Sequence, residues 1–441
     1  MSTPPKVAVP RDPDNPSSTR FKNFLKILMN IEANEIKATL LSFVFVFVLM
    51  AAYYILRPVR DAMASDWTDA QVSFLWTLNF FISAGVVALY GAAVSHIKFK
   101  HLVPGLYVFF ALTFLMFYLA VLSFTDRALV NKCFYVWVSV FSLFHVSVFW
   151  SYMADTFNKE QAKRLFAVIA AGASAGALLG PSLPTLFAGR IGTDPLLLIA
   201  AVLLTLPVPI ILYLARLKRT ELHNEDVHAD LDTARIGGNP LAGFKLFLTN
   251  PYLLAVGGFI LLYTMIGSFV YFEQKNLLAA YDLAKRTQIL GAIDWTTNIL
   301  TFALAFFATG RLVKKFGMAV TLALIPVLMV AGLMVLAFAS VITILLALQV
   351  ARRAGNYAVT RPAREMLFTE VDRETRFKAK PVIDIVVYRG GDTLTAWLFT
   401  GLTQGLGLGI GMVALVGAAI AALWAVVGIY LGKWFSRVHA G

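Results

Sequence analysis

Twelve apolar stretches, each near the length that a helix needs to cross a bilayer, leave this chain few ways to fold. An α-helix requires about 20 predominantly apolar residues to span a hydrocarbon core of about 30 Å. Such runs lie at 37–63, 70–94, 102–124, 129–154, 163–188, 195–215, 251–273, 287–309, 318–339, 341–361, 381–405 and 409–432. Hydrophobic residues make up 59% of the 441 and charged residues only 14%, far from the balance of a soluble domain. The chain is therefore expected to be an all-α membrane protein with twelve transmembrane helices.

The polar residues sort by membrane side. Residues 1–34 contain Pro, Asp, Ser and Lys but no short apolar core ahead of a small-residue cleavage site, so they are expected to form a cytoplasmic N-terminal tail and not a signal peptide. The net charge of +13 would suit nucleic acid. The basic residues, however, gather in alternate connecting segments, as the positive-inside rule requires, which points to the bilayer and away from nucleic acid. Read this way, both termini are cytoplasmic and the protein is integral to the inner or plasma membrane. Its single cysteine, Cys133, excludes an internal disulfide and a cysteine-based metal site.

Arg216 to Asn250 is the longest polar stretch after the tail, and it divides the chain into six-span bundles at 35–215 and 251–441 with a cytoplasmic linker at 216–250. The two parts repeat weakly. Gly91-Ala-Ala-Val-Ser-His-Ile-Lys-Phe-Lys answers to Gly310-Arg-Leu-Val-Lys-Lys-Phe-Gly, a shift of 219 residues. Asp155, Lys159, Ala162 and Lys163 answer to Asp372, Arg376, Ala379 and Lys380, shifted by 217, and Tyr53 and Arg57 answer to Tyr271 and Lys275, shifted by 218. Parallel repeats of six helices are the architecture of major facilitator transporters, whose halves rock about a central site. The fold expected is thus two pseudo-symmetric six-helix bundles.

Ionisable side chains inside a bilayer are costly unless they face water or a partner, so each one is a functional candidate. The first span carries Arg57, Arg60 and Asp61, whose i, i+3 and i+4 spacing places them on one helix face, with Pro58 between them. The alternative is an outer loop in which Arg57 pairs with Asp61. The tenth span carries Arg352 and Arg353, which point about 100° apart, and its extension carries Arg361, Arg364 and Glu365. One of the adjacent arginines is expected to line a cavity. Arg389 in the eleventh span precedes Gly390 and Gly391, where backbone can approach a ligand, although pairing with Asp384 or Asp392 accounts for it equally well. Cations with few carboxylates select anions, and arginine suits bidentate phosphate or carboxylate binding. Tyr53 and Tyr271 lie beside these positions and can stack a flat ring or a sugar. Gly172, Gly176 and Gly180, spaced by four, read first as a helix-packing face.

Catalytic signatures are missing from the sequence: it has no Gly-rich phosphate loop ahead of Lys-Ser/Thr, no His-Glu-x-x-His and no nucleophile elbow. No enzymatic activity and no cofactor or metal is expected. His145, alone in the fourth span, reads as a hydrogen-bonded packing residue.

Tyr53-Tyr-Ile-Leu-Arg-Pro-Val-Arg-Asp61, Phe149-Trp-Ser-Tyr-Met-Ala-Asp-Thr with Ala162-Lys-Arg-Leu-Phe166, and Arg364-Glu-Met with Lys378-Ala-Lys-Pro-Val-Ile-Asp384 resemble three signatures of the ATP:ADP antiporter family, the nucleotide transporters of plastids and intracellular bacteria. The resemblance runs from about Glu35 to the C-terminus and implies a major facilitator fold that carries nucleotides. It places the family's charged quartet on Arg60, Asp155, a position near Tyr271 and a lysine of the Lys378 and Lys380 pair. Arg60 stands for a lysine and Asp155 for a glutamate. The seventh-helix glutamate has Tyr271 at or near its place, with Glu273 two residues on, and Pro58 takes the second acidic position of the first motif. These departures leave other phosphorylated or polycarboxylate solutes open beside ATP and ADP.

The function expected is a monomeric secondary transporter that moves an anionic, nucleotide-like solute by alternating access, with exchange or proton coupling. A transport-fold sensor or scaffold is the alternative. Arg57, Arg60, Tyr53, Tyr271, Lys275, Arg352, Arg353 and Arg389 are the expected binding residues. Asp61, Asp155, Lys159, Lys163, Asp372, Arg376, Lys378 and Lys380 are those for gating or coupling. The topology has a direct test. In a Cys133→Ser background, cysteines placed at Lys98, Lys218 and Lys314 should be labelled only from the cytoplasmic side, and labelling of any of them from outside would reverse the assigned orientation.

Overall fold

Within hydrocarbon the backbone must satisfy its own hydrogen bonds, which a helix does inside one segment. The structure, a computed structural model, describes residues 31–96, 99–224, 242–305, 309–339, 341–371, 379–380 and 382–440, and over these it is almost wholly helical. The first four spans are Ile36–Met63, Asp69–His96, Phe99–Ser123 and Ala128–Thr156. The fifth is Lys159–Leu179 continued by Ser182–Ile191 after Pro181, and the sixth is Asp194–Leu203 continued by Pro207–Thr220. Pro251–Leu278, Leu283–Ala305 and Thr309–Phe338 follow. The tenth joins Ile342–Gly355, a π-helical turn at Asn356–Thr360 and Arg361–Leu367, and the eleventh joins π turns at Val382–Val387 and Gly401–Gly405 to Tyr388–Thr400. Ile410–Ala440 is the twelfth.

Among the described residues, nine helices are long and apolar enough to cross a membrane on those grounds alone. The eighth, tenth and eleventh spans fall outside that set. The π turns break the last two, and charged residues such as Asp294, Arg352, Arg353 and Arg389 interrupt the apolar runs of all three. Mid-helix π turns are frequent at functional sites because they re-aim side chains. The first span stays helical through Pro58 to Met63, so Arg57, Arg60 and Asp61 lie on the helix and not in an outer loop.

Two apolar cores hold the halves. One is built on the first six spans, with Phe45 edge-on to Tyr107 and Phe149 at 5.3 and 4.9 Å. The other is built on the last six around Phe259, Leu322 and Trp424. The segment expected as a linker is partly helical: the sixth span runs on to Thr220, and Ala242–Thr249 forms a short helix. Beyond Thr220, buried Asn224 donates to Gln161 Oε1 at 2.6 Å and to the Thr156 carbonyl at 3.1 Å, which fastens the chain to the turn between the fourth and fifth spans.

The glycine stripe is a packing face. A Cβ at Gly172 or Gly176 would run into the carbonyl oxygen of Phe43 or Phe47, and one at Gly180 would lie 2.8 Å from that of Ala51. The fifth span therefore rests on the backbone of the first, where only hydrogen atoms fit. At the far end Arg164 donates to both oxygens of Glu35 at 2.8 and 3.0 Å, a bidentate fork between the same two spans.

Across the halves, Asn298 of the eighth span donates to the Ala177 carbonyl of the fifth at 2.6 Å, and Ser73 of the second shares a hydrogen bond with Thr400 of the eleventh at 2.8 Å. Overpacking a filled contact costs about 1–3 kcal/mol. Gly176→Val should accordingly lower the thermal midpoint of the purified protein, whereas Gly105→Ala, at a site with nothing within 4 Å, should leave it unchanged.

Candidate functional site

Where the two halves face each other, the first, second, fourth, seventh, tenth and eleventh spans enclose a cavity of about 560 Å³. Seven arginines line it: Arg57, Arg60, Arg352, Arg353, Arg361, Arg364 and Arg389. Against them stand two lining carboxylates, Asp61 and Asp392. Tyr53, Tyr135, Tyr263, Tyr271, Tyr357, Tyr388 and Trp76 supply aromatic walls.

Five of the seven guanidinium groups have partners of their own. Arg60 donates to Asp61 Oδ1 at 2.7 and 2.9 Å and lies 5.5 Å over the Tyr135 ring. Arg57 stands 3.7 Å from Asp61 on its own helix and 3.7 Å from Asp294 of the eighth span, in the other half. Arg353 takes the same Asp294 oxygen at 2.5 Å. One buried carboxylate thus ties an arginine of each half. Arg352 donates to the neutral Gln349 amide at 2.8 Å, sits 5.7 Å over Tyr263, and lies against Gly267, where a Cβ would stand 3.0 Å from its Nη1. Arg364 and Lys380 both bind Glu365, at 2.8 and 2.5 Å.

After this pairing, Arg352, Arg361 and Arg389 have no carboxylate within 4 Å among the described residues. Arg57 Nε and Arg353 Nη2 are buried without a hydrogen bond among those residues. The cavity therefore keeps an excess of positive charge together with unused donors. An anion is the partner that such a site lacks.

One end of the cavity is sealed by bonds between the halves. Lys275, 3% exposed, stands 2.8 Å from Asp69 and donates to the Trp67 carbonyl at 2.8 Å. Asp69 also accepts from Thr403 at 2.8 Å, and Arg286 of the eighth span binds Asp66 in the turn after the first. Below these, Trp76 donates to Tyr135 at 2.7 Å and Tyr135 shares a 2.9 Å hydrogen bond with Tyr271.

The expected residues distribute unevenly. Tyr53, Tyr271, Arg57, Arg60, Arg352, Arg353, Arg389 and Asp61 all reach the cavity. Both adjacent arginines line it, and not one alone, because Asp294 neutralises the one turned towards the eighth span. Lys275 does not line it. Its ammonium closes the seal, and the repeat that pairs it with Arg57 holds in sequence but not in surroundings. At the opposite end Asp155 binds Lys218 of its own half at 2.9 Å, while Lys163 pairs with Glu160 on the surface and Lys159 is exposed. Asp372, Arg376 and Lys378 lie outside the described residues. His145 is buried, within 3.3 Å of the Phe141 carbonyl and stacked 4.6 Å from Tyr53.

Sequence reasoning missed Asp294, Asp69 and Arg286. Asp294 stands inside an expected span, so the intramembrane-charge criterion that singled out Arg57 could have found it. Asp69 and Arg286 gave no such signal, because each lies at a helix end where a charge is ordinary. Removing one partner of a buried pair costs about 3–5 kcal/mol. Asp294→Asn should destabilise the protein by about that much, and Arg353→Gln added to it should recover part of the loss in thermal unfolding, since the guanidinium stranded by the first change is then gone.

The model of the Major Facilitator Superfamily matches residues 40–362. The chain is similar to ADP,ATP carrier protein 1 of Chlamydia pneumoniae, at 22% identity over 491 aligned residues covering 94% of each chain. Among solved structures it resembles the nucleoside transporter NupG, with a TM-score of 0.60 at 12% identity over 91% of this chain and 99% of that one. It also resembles a bacterial homologue of the human lysosomal transporter Spinster in an inward-facing, unoccupied conformation, with a TM-score of 0.59 at 12% identity over 92% and 98%.

Proposed function

This chain belongs to the Major Facilitator Superfamily of membrane transporters, and from that premise we propose that it carries a multiply charged, phosphorylated solute with a flat ring, nucleotide-like in chemistry, by alternating access. The observation that carries the reading is the charge of the cavity. Among the described residues, Arg352, Arg361 and Arg389 have no carboxylate within 4 Å, which suits a solute bearing several negative charges. A di- or triphosphate fits that demand better than a monocarboxylate does. The tyrosines and Trp76 offer faces on which a base or sugar can stack. The similarity to a carrier named for ADP and ATP supports the same class.

The binding residues we assign are Arg57, Arg60, Arg352, Arg353 and Arg389, with Tyr53 and Tyr271 as stacking partners. Lys275 is assigned to the seal. Under the orientation expected from the basic residues, the sealed end faces outward and the conformation is inward-facing. Asp155 with Lys218 then lies on the cytoplasmic side, where exchange of such pairs between conformations can serve as a gate.

A thermal-shift series on the purified protein tests the reading, because a ligand that prefers the folded state raises its apparent stability. Nucleoside di- and triphosphates should raise the midpoint more than sugar phosphates or polycarboxylates. Charge-assisted contacts contribute about 1.5–3 kcal/mol each. Arg352→Gln should therefore weaken the effective nucleotide about tenfold or more, and Arg352→Lys should cost less because the charge stays while the fork is lost. A midpoint unmoved by every anion, or an affinity unchanged in Arg352→Gln, would remove the proposal.

A further inference from the structure

A second cavity, of about 610 Å³, lies between the second, third and fourth spans and shares no lining residue with the arginine-lined cleft. The second span divides the two. Its Trp76, Asn79 and Phe80 face the cleft, while Phe74, Leu78 and Ile82, spaced by four residues along one helix face, line the other cavity. Trp137 of the fourth span completes the wall, and its indole N–H is satisfied by Thr113 at 2.9 Å, which leaves the ring as an apolar surface. The mouth opens towards lipid, where Phe74 is 58% and Leu129 73% exposed. From Ala70 to Ile82 the groove runs about 18 Å along the helix, close to the half-thickness of about 15 Å of a hydrocarbon core. It starts beside Asp69 of the seal, so it belongs to the leaflet on the sealed side.

The groove carries a cation at its head. Lys132, in the first turns of the fourth span, lines it and has no carboxylate within 4 Å among the described residues. The acids of that end are engaged elsewhere: Asp69 with Lys275, Asp66 with Arg286, Asp194 with Arg127, and Asp126 with the Ala128 amide at 2.9 Å. Trp137 stands about 7 Å deeper along the same helix. A slot of one leaflet's length, apolar below and cationic above, matches an amphiphile with a hydrocarbon tail and a negative head. A soluble phosphate ester would meet the ammonium but leave the apolar walls without partner atoms. A zwitterionic lipid would bring its own cation to the same place.

We propose that this groove binds an anionic phospholipid, with the phosphate on Lys132 and one acyl chain lying along Phe74, Leu78 and Trp137. The chain supplies the dispersion contacts that the apolar walls lack, and the ammonium selects the head. One lysine at an anionic lipid surface favours the charged lipid about fivefold, so the preference is modest and vanishes with the ammonium. The inference is independent of the transported solute and of every residue assigned to its binding.

Tryptophan quenching by brominated lipid tests it, because bromine quenches only at contact. The full chain is placed in phosphatidylcholine nanodiscs containing a minor fraction of lipid brominated in mid-chain, either phosphatidylglycerol or phosphatidylcholine. The share of quenching that disappears in Trp137→Phe, which keeps a ring in the wall, belongs to the groove. That share should be about fivefold larger with brominated phosphatidylglycerol. Lys132→Gln should make the two lipids equal, and Lys132→Arg should keep the preference because the charge stays. Equal quenching by the two lipids in the parent protein would overturn the proposal, and so would a preference that survives Lys132→Gln or is lost in Lys132→Arg. Excess inorganic phosphate should leave the quenching intact. Fluorescence restored by it would assign Lys132 to a soluble anion and overturn the lipid site. None of these results bears on the thermal-shift series, so failure here and failure of the nucleotide reading can be told apart.

Discussion

The cost of holding an ion away from water governs where each charge in this protein sits. Seven guanidinium groups cannot face hydrocarbon, and a helical chain in a bilayer can shelter them only by turning them inward. Two bundles that meet around a shared cleft provide that interior. The eighth, tenth and eleventh spans can be less apolar than the rest because their neighbours, and not their own composition, keep them in the membrane.

The same cost explains the division of labour among the carboxylates. Asp61, Asp294 and Glu365 each neutralise arginines that would otherwise be stranded, and Asp69 does so for Lys275. Where the pairing among the described residues runs out, at Arg352, Arg361 and Arg389, the cavity keeps positive charge. Asp294 is notable for its reach, since it binds Arg57 from one half and Arg353 from the other.

Much of this was legible in the amino-acid order, and for physical reasons. Hydrocarbon thickness sets the length of a span, so the twelve runs could be counted, and the rarity of charge inside them exposed Arg57, Arg60, Arg352, Arg353 and Arg389. The spacing of Gly172, Gly176 and Gly180 by four residues announced a helix contact, and the fifth span does lie on the first through those positions. Lys275 was placed with the cavity cations because its repeat partner Arg57 is one. It sits apart because Trp67 and Asp69 meet it on the seventh span, whereas Arg57 meets Asp61 of its own helix and Asp294 of the eighth.

What the sequence by itself determined is what depends on local chemistry: the number of spans, the helical backbone, the weak twofold repeat and the excess of intramembrane arginine. What only the tertiary structure decided is which charges neutralise one another. Asp294 lies 237 residues from Arg57 in the chain and Asp69 lies 206 from Lys275, yet Asp294 comes within ion-pair distance of Arg57, and Asp69 of Lys275, across the interface. Electrostatic attraction falls with distance in space and is indifferent to separation along the chain. The sorting of paired from unpaired cations, on which the character of the cavity rests, therefore existed only once the two halves were brought together.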